Sequence, residues 1–132
     1  MAASLLARSM VAAFTELGND EVYYWTYALV PDWSHFDHPP MLGWIIQLFT
    51  CNLKWDSSFA LRLPSLVLGT FNIWLIYRLG YLVKGPKTGW YGALLYTGSL
   101  YAAIISGTFI LPDTPLSTFY LAALLSFFKA FG

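Results

Sequence analysis

Long apolar stretches constrain this chain more than any other feature of its sequence. Residues 63–83 and 90–110 are each close to 20 residues long, and a third stretch runs from Thr114 through Phe128. An α-helix needs about 20 mostly apolar residues to cross the ~30 Å hydrocarbon core of a bilayer. The stretch at 90–110 carries no charge, and the stretch at 63–83 contains only Arg78, near its end. The chain is therefore predicted to be an integral membrane protein.

The composition supports this class and excludes others. Charged residues make up 11% of the chain, against roughly 25% in a soluble domain. Aromatic residues make up 19% and suit the membrane–water boundary, so membrane lipids are expected partners. The net charge is zero, which gives no basic surface for a nucleic-acid partner. The single Cys51 excludes an internal disulfide and a multi-cysteine metal site.

We predict an all-α fold of about four transmembrane helices. The first span carries Arg8 in its middle, where a charge costs about 2.5–3.5 kcal/mol on insertion scales, so an interfacial amphipathic helix is the alternative there. Two further helices, at 21–30 and 40–50, are predicted to lie along the membrane interface. The predicted spans are about 1–18, 62–83, 89–110 and 114–131, with a long outer loop at about 19–61.

Basic residues predict the orientation of these spans. Arg78, Lys84 and Lys87 cluster in the link between two of them, which the positive-inside rule places in the cytoplasm. The loop at 19–61 then faces the outer side. All seven acidic residues fall at or near that side: Glu16, Asp20, Glu21, Asp32, Asp37, Asp56 and Asp113. A loop of this length is usually functional or disordered, and this one is too aromatic and apolar for disorder.

The first candidate site is the run Asn19-Asp20-Glu21, where the loop begins. Adjacent carboxylates beside a membrane can serve as a general base, as metal ligands, or as both. The alternative is a helix cap followed by an acidic first turn, which the same residues would also satisfy.

The second candidate is the segment 34–40, SHFDHPP. Histidine and aspartate at this density can bind a divalent cation, and the two prolines stiffen the segment. His35 and Asp37 are the candidate metal ligands, although no defined ligand spacing is present. A solvated turn before a helix is the alternative.

Asp113 and Arg62 complete the set of candidate residues. Asp113 begins an apolar stretch, where a helix N-terminus would also accept an anionic phosphate, and the alternative is a helix cap. Arg62 begins a second apolar stretch, where its guanidinium could form two hydrogen bonds to a lipid phosphate. The alternative is an arginine that only anchors the end of the helix at the membrane interface, which would occupy the same position in the sequence.

In combination and in this order, these features carry a family resemblance. The chain resembles the N-terminal part of the protein-mannosyltransferase-like branch of the GT-C glycosyltransferase superfamily, which includes bacterial aminoarabinose transferases. The resemblance runs from about residue 14 to 128 and is carried by NDEVYYWTYALVPDWSHFDHPPMLGWIIQLF, ALRLPSLVLGT and LPDTPLSTF. It implies a polytopic enzyme of the bacterial inner membrane that takes a sugar from a polyprenyl-phosphate donor at the outer face.

The resemblance also implies roles for single residues. Asp20 matches the family's catalytic base, with Glu21 beside it. Asp37 and His38 match an acidic-x-Pro-Pro element that would help place a metal or the donor phosphate, so a divalent metal ion is the one cofactor expected. The family's Arg-Leu-Pro element matches at Arg62, and its later Asp matches at Asp113. These two residues and Tyr24 are expected to bind the donor phosphate or the substrate.

Two other functions fit the residues. A non-enzymatic carrier of polyprenyl-phosphate lipid would use the same loop, but it needs cations near phosphate and has no use for an acidic base. A plain four-helix membrane module would use its acids only as caps. For the enzyme, the acceptor is a lipid, a protein or a glycan. We expect the 132 residues to be either a fragment of a longer gene product or the product of a truncated reading frame. Either would be inactive alone, because four spans do not enclose a cavity for donor and acceptor.

Overall fold

The computed structural model describes residues 1–36 and 38–131, and within these residues it contains helices and no strand. The predicted all-α class is therefore confirmed for this part of the chain. The elements are α1 (Ala2–Phe14), α2 (Asn19–Leu29), α3 (Met41–Phe49), α4 (Ser58–Lys84), α5 (Pro86–Gly98), a π-helix (Leu100–Ile105) and α6 (Asp113–Phe131).

Two of these helices, α4 and α6, are long and apolar enough to cross a membrane by length and composition. The α4 helix begins with a cap in which the Ser57 hydroxyl accepts a hydrogen bond from the Ala60 N–H at 3.2 Å. It ends at Gly85, whose φ of 93° is readily adopted only by glycine. The α1 helix is apolar but shorter. A total of four spans therefore stays a prediction.

The predicted span at 89–110 is divided. The α5 helix ends at Gly98, and Ser99 is extended. The Ser99 hydroxyl then accepts a hydrogen bond from the Ala102 N–H at 3.3 Å and caps the π-helix that follows. Serine competes for backbone hydrogen bonds in this way, which favours helix starts over helix interiors. Apolar length alone did not reveal this break.

The α2 and α3 helices pack against each other and against the start of α4. A buried apolar cluster joins them to the rest of the fold, formed by Ala28, Leu42, Ile46, Leu61 and Ile110. Gly43 lets the two helices meet, because a Cβ there would lie 2.7 Å from the carbonyl oxygen of Tyr27. Both helices lie close to the segments predicted for them. Their position along a membrane interface stays a prediction.

Arg8, the charge in the middle of α1, is buried with only 4% of its surface exposed. Its guanidinium donates to the carbonyl of Gly107 at 2.8 Å and to the hydroxyl of Thr70 at 2.7 Å. Gly69 and Gly107 make room for it, because a Cβ at either position would lie 2.6 Å from Nη1. Hydrogen bonding inside the helix bundle thus offsets part of the cost of the buried charge.

Candidate functional site

A buried ion pair joins α2 to α4 at the two ends of the loop region at 19–61. The Arg62 Nε donates to Oε1 of Glu21 at 2.8 Å, and Nη2 donates to Oε2 at 2.6 Å. This two-point geometry is the strongest form of guanidinium–carboxylate contact. Arg62 has no exposed surface, and Glu21 is only 4% exposed.

The rest of the Arg62 guanidinium binds the end of α1. Its Nη1 donates to the carbonyl of Ala12 at 2.9 Å and to the carbonyl and hydroxyl of Thr15 at 2.8 and 2.9 Å. Its Nη2 also donates to the carbonyl of Glu16 at 2.8 Å. An arginine has five N–H groups, and each of the three nitrogens is engaged with protein acceptors. The guanidinium therefore holds three helices together.

The Glu21 carboxylate accepts two further hydrogen bonds from backbone N–H groups. One comes from Gly18 at 3.0 Å and the other from Ile110 at 3.1 Å. Burial alone raises the pKa of Glu21, but hydrogen bonds from Arg62 and from these two N–H groups outweigh it and hold the pKa below its ordinary value. Glu21 is thus a fixed anion, with each oxygen accepting two hydrogen bonds.

Asp20, the neighbour of Glu21, lies in a different environment. It is exposed, and none of the residues at 1–36 and 38–131 forms a hydrogen bond with its side chain. It lines an open cleft of about 570 Å³. The walls of this cleft include Thr15, Glu16, Ile105, Phe109 and Leu111. Of the two adjacent acids, the described structure leaves only Asp20 free to accept a proton.

Asp113 and His38 share a second cavity of about 230 Å³. Asp113 is partly buried at the start of α6, and its Oδ2 accepts a hydrogen bond from the phenol of Tyr101 at 2.6 Å. Tyr101 was not among the predicted site residues. It lies in an apolar stretch, where a tyrosine is indistinguishable from the many that contact the membrane interface.

The two histidines of the loop pack on tyrosines of α2. The ring of His35 stacks on Tyr27 at 3.8 Å, and the ring of His38 meets Tyr24 edge-on at 5.4 Å. The predicted ligand Asp37 lies outside the described residues. Within residues 1–36 and 38–131, no group of three or more His, Cys, Asp or Glu side chains could hold a metal ion. The metal site therefore stays a prediction.

The segment at 110–113 connects the two cavities. Ile110 donates its N–H to Glu21, Leu111 lines the Asp20 cleft, and Asp113 lines the second cavity. On the other side, Tyr24 follows Asp20 by four residues on α2, so the two side chains lie on one helix face. Asp20 and Asp113 therefore line different cavities, and the segment at 110–113 contributes residues to both.

One comparison with known proteins gives a match. A family model described as dolichyl-phosphate-mannose-protein mannosyltransferase matches residues 37–132, more than half of the chain. Asp20 and Glu21 lie before the matched region, so their roles are argued from their own geometry. No curated protein and no solved structure matches the chain.

Proposed function

This chain belongs to the dolichyl-phosphate-mannose-protein mannosyltransferase family, and from that premise we propose that it transfers a sugar from a polyprenyl-phosphate donor. The acceptor is a hydroxyl group of a lipid, a protein or a glycan. Family membership and the apolar helices α4 and α6 make it a membrane glycosyltransferase of the GT-C type. The donor, the acceptor and the residues that act on them are the proposal.

The observation that carries the proposal is the contrast between two adjacent carboxylates. Glu21 is locked by four hydrogen bonds, whereas Asp20 is exposed at a cleft and hydrogen-bonded to none of the described residues. A general base must be able to accept a proton from its substrate. We therefore assign the base to Asp20 and treat Glu21 as the residue that fixes the first turn of α2.

In the proposed reaction, the acceptor hydroxyl gives its proton to the Asp20 carboxylate. The hydroxyl oxygen forms a bond to the anomeric carbon of the sugar. The bond between that carbon and the phosphate oxygen breaks, and the polyprenyl phosphate leaves with the electron pair. Any divalent metal would act here by neutralising charge on the leaving phosphate.

The geometry favours a positioning role for Arg62 over contact with the donor phosphate. Its nitrogens already donate to Glu21 and to α1, and the side chain has no exposed surface. The lipid-carrier alternative needs a cation facing the phosphate, and the buried Arg62 does not provide one. His38 and Tyr24, which pack together beside the second cavity, are proposed to contact the donor.

A transfer assay tests the proposed function. The complete enzyme that contains these residues, reconstituted in lipid vesicles, is expected to move labelled sugar from a polyprenyl phosphate to an acceptor hydroxyl. Free polyprenyl phosphate should accumulate in equal amount. A lipid carrier would bind the donor without releasing sugar from it. Donor binding with no cleavage of the sugar–phosphate bond would therefore reject the enzyme in favour of the carrier.

The orientation of the loop can be tested with the native thiol. Cys51 is exposed in the loop between α3 and α4 and is the single cysteine of the chain. If this loop faces outward, a membrane-impermeant thiol reagent should label Cys51 in intact cells. In a Cys51→Ser background, Lys84→Cys should be labelled only after the cells are permeabilised. The reverse pattern would place the loop in the cytoplasm.

A further inference from the structure

The phenol of Tyr101 holds the Asp113 carboxylate. Its O–H donates to Oδ2 at 2.6 Å, and within residues 1–36 and 38–131 this is the one hydrogen bond to that carboxylate. An aspartate at a helix start often accepts hydrogen bonds from the first N–H groups of its own helix. Asp113 does not do so in the described structure. Its side chain is therefore oriented by a residue from another element.

The π-helix brings Tyr101 to this position. It begins at the Ser99 cap, and its wider turns are formed by bonds such as that from the Ser106 N–H to the Tyr101 carbonyl at 2.9 Å. Each such bond spans five residues, so the side chains of this segment are displaced from the directions of a continuous α-helix.

A second contact fixes the end of the π-helix relative to the start of α6. The hydroxyl of Thr114, next to Asp113, donates to the carbonyl of Ser106 just after the π-helix. Both groups are buried, at 1% and 3% exposure. The backbone around Asp113 is therefore anchored independently of Tyr101. Loss of the Tyr101 hydroxyl should free the carboxylate to rotate without displacing α6.

We propose that Tyr101 is a positioning residue that holds Asp113 to bind a hydroxyl group of the donor sugar. Tyr101 occupies Oδ2, which leaves Oδ1 as an acceptor in the region of the cavity that Asp113 shares with His38. A carboxylate repels a phosphate and accepts hydrogen bonds from hydroxyl groups. The sugar part of the donor, rather than its phosphate, is therefore the group that Asp113 recognises. This inference rests on the proposed function and deepens it.

A double-mutant cycle in the complete enzyme tests the inference. Tyr101→Phe removes one hydroxyl and keeps the ring, and it is expected to raise the KM for the polyprenyl-phosphate sugar by about tenfold, the effect of one hydrogen bond. The kcat and the Tm should stay close to wild type. Asp113→Asn should raise the KM at least as much. In the double variant, Tyr101→Phe should raise the KM no further, because the carboxylate that Tyr101 orients is already absent.

The matched control is Tyr91→Phe, an exposed tyrosine on α5 that should leave the KM unchanged. Additive effects of Tyr101→Phe and Asp113→Asn, or a lowered Tm with no KM change in Tyr101→Phe, would make Tyr101 a structural residue and overturn the inference. If Asp113→Asn alone raises the KM, only the inference about Tyr101 fails. If the wild-type enzyme cleaves no polyprenyl-phosphate sugar, the proposed function and the inference fall together.

Discussion

Replacement of Asp20 by Asn is expected to lower sugar transfer by about 10²–10⁴-fold in the complete enzyme, the usual cost of losing a general base. The amide keeps the size of the carboxylate and one of its two acceptor oxygens, but it does not take up the proton of the acceptor hydroxyl. The measurement is turnover of the polyprenyl-phosphate sugar at saturating donor and acceptor.

Folding should be almost unaffected by the same change. Asp20 is exposed, forms no hydrogen bond with the described residues and is not the residue that closes the first turn of α2. That task belongs to Glu21, which accepts the Gly18 N–H. The cap alternative therefore fits Glu21. If Asp20 also acted only as a helix-capping residue, Asp20→Asn would transfer sugar at the normal rate.

Asp56→Asn is the matched control, because Asp56 is also exposed in the region at 19–61 and does not line either cavity. It should transfer sugar at the wild-type rate. A wild-type rate in Asp20→Asn as well would remove Asp20 from the chemistry. A loss of turnover accompanied by loss of membrane insertion would point instead to misfolding.

The second large effect is expected for Arg62→Met, which should lower the free energy of unfolding by about 3–5 kcal/mol, the cost of breaking a buried ion pair. The substitution leaves the Glu21 carboxylate buried with no cation. It also removes the hydrogen bonds to the carbonyls of Ala12, Thr15 and Glu16. Denaturant-induced unfolding in mixed micelles measures the change.

The double variant Glu21→Gln, Arg62→Met should be less unstable than the sum of the two single variants, because it leaves no unpaired charge. Arg78→Met serves as the control on the same helix. The Arg78 guanidinium lies 5.8 Å from the ring centre of Trp74, and such a contact contributes about 0.5–1 kcal/mol. An equal loss in Arg62→Met and Arg78→Met would show that the ion pair contributes little to stability.

The helical part of the fold followed closely from the sequence. The apolar stretches predicted at 62–83 and 114–131 lie within or close to α4 and α6. Helices at 21–30 and 40–50 were also predicted, near the observed α2 and α3. These predictions succeed because helix formation depends on local spacing of apolar residues and on turn residues such as Pro40 and Gly85.

The break at Ser99 was missed, because the local pattern of apolar residues does not show it. Residues 90–110 carry no charge and are mostly apolar, and hydropathy does not distinguish one long helix from an α-helix followed by a π-helix. The difference depends on a hydroxyl that caps the second segment and on the contact between Thr114 and Ser106. The same break precedes Tyr101, which donates to Asp113. Asp113 and His38, which line the second cavity, were therefore predicted as site residues, whereas Tyr101 was not.

By itself, the sequence determined that this is a membrane protein built of helices, that its acids gather in and around one long loop, and that Asp20, Glu21, Arg62 and Asp113 are its candidate site residues. The surroundings of each of these side chains depend on the tertiary structure alone. Glu21 and Arg62 are 41 positions apart and form a buried pair at 2.6 Å, which makes both structural anchors. Asp20, one residue away from Glu21, stays exposed and forms no hydrogen bond with the residues at 1–36 and 38–131. Adjacent residues on an α-helix point in directions about 100° apart. Whether a carboxylate meets a buried guanidinium or an open cleft therefore depends on how helices distant in the sequence pack around it.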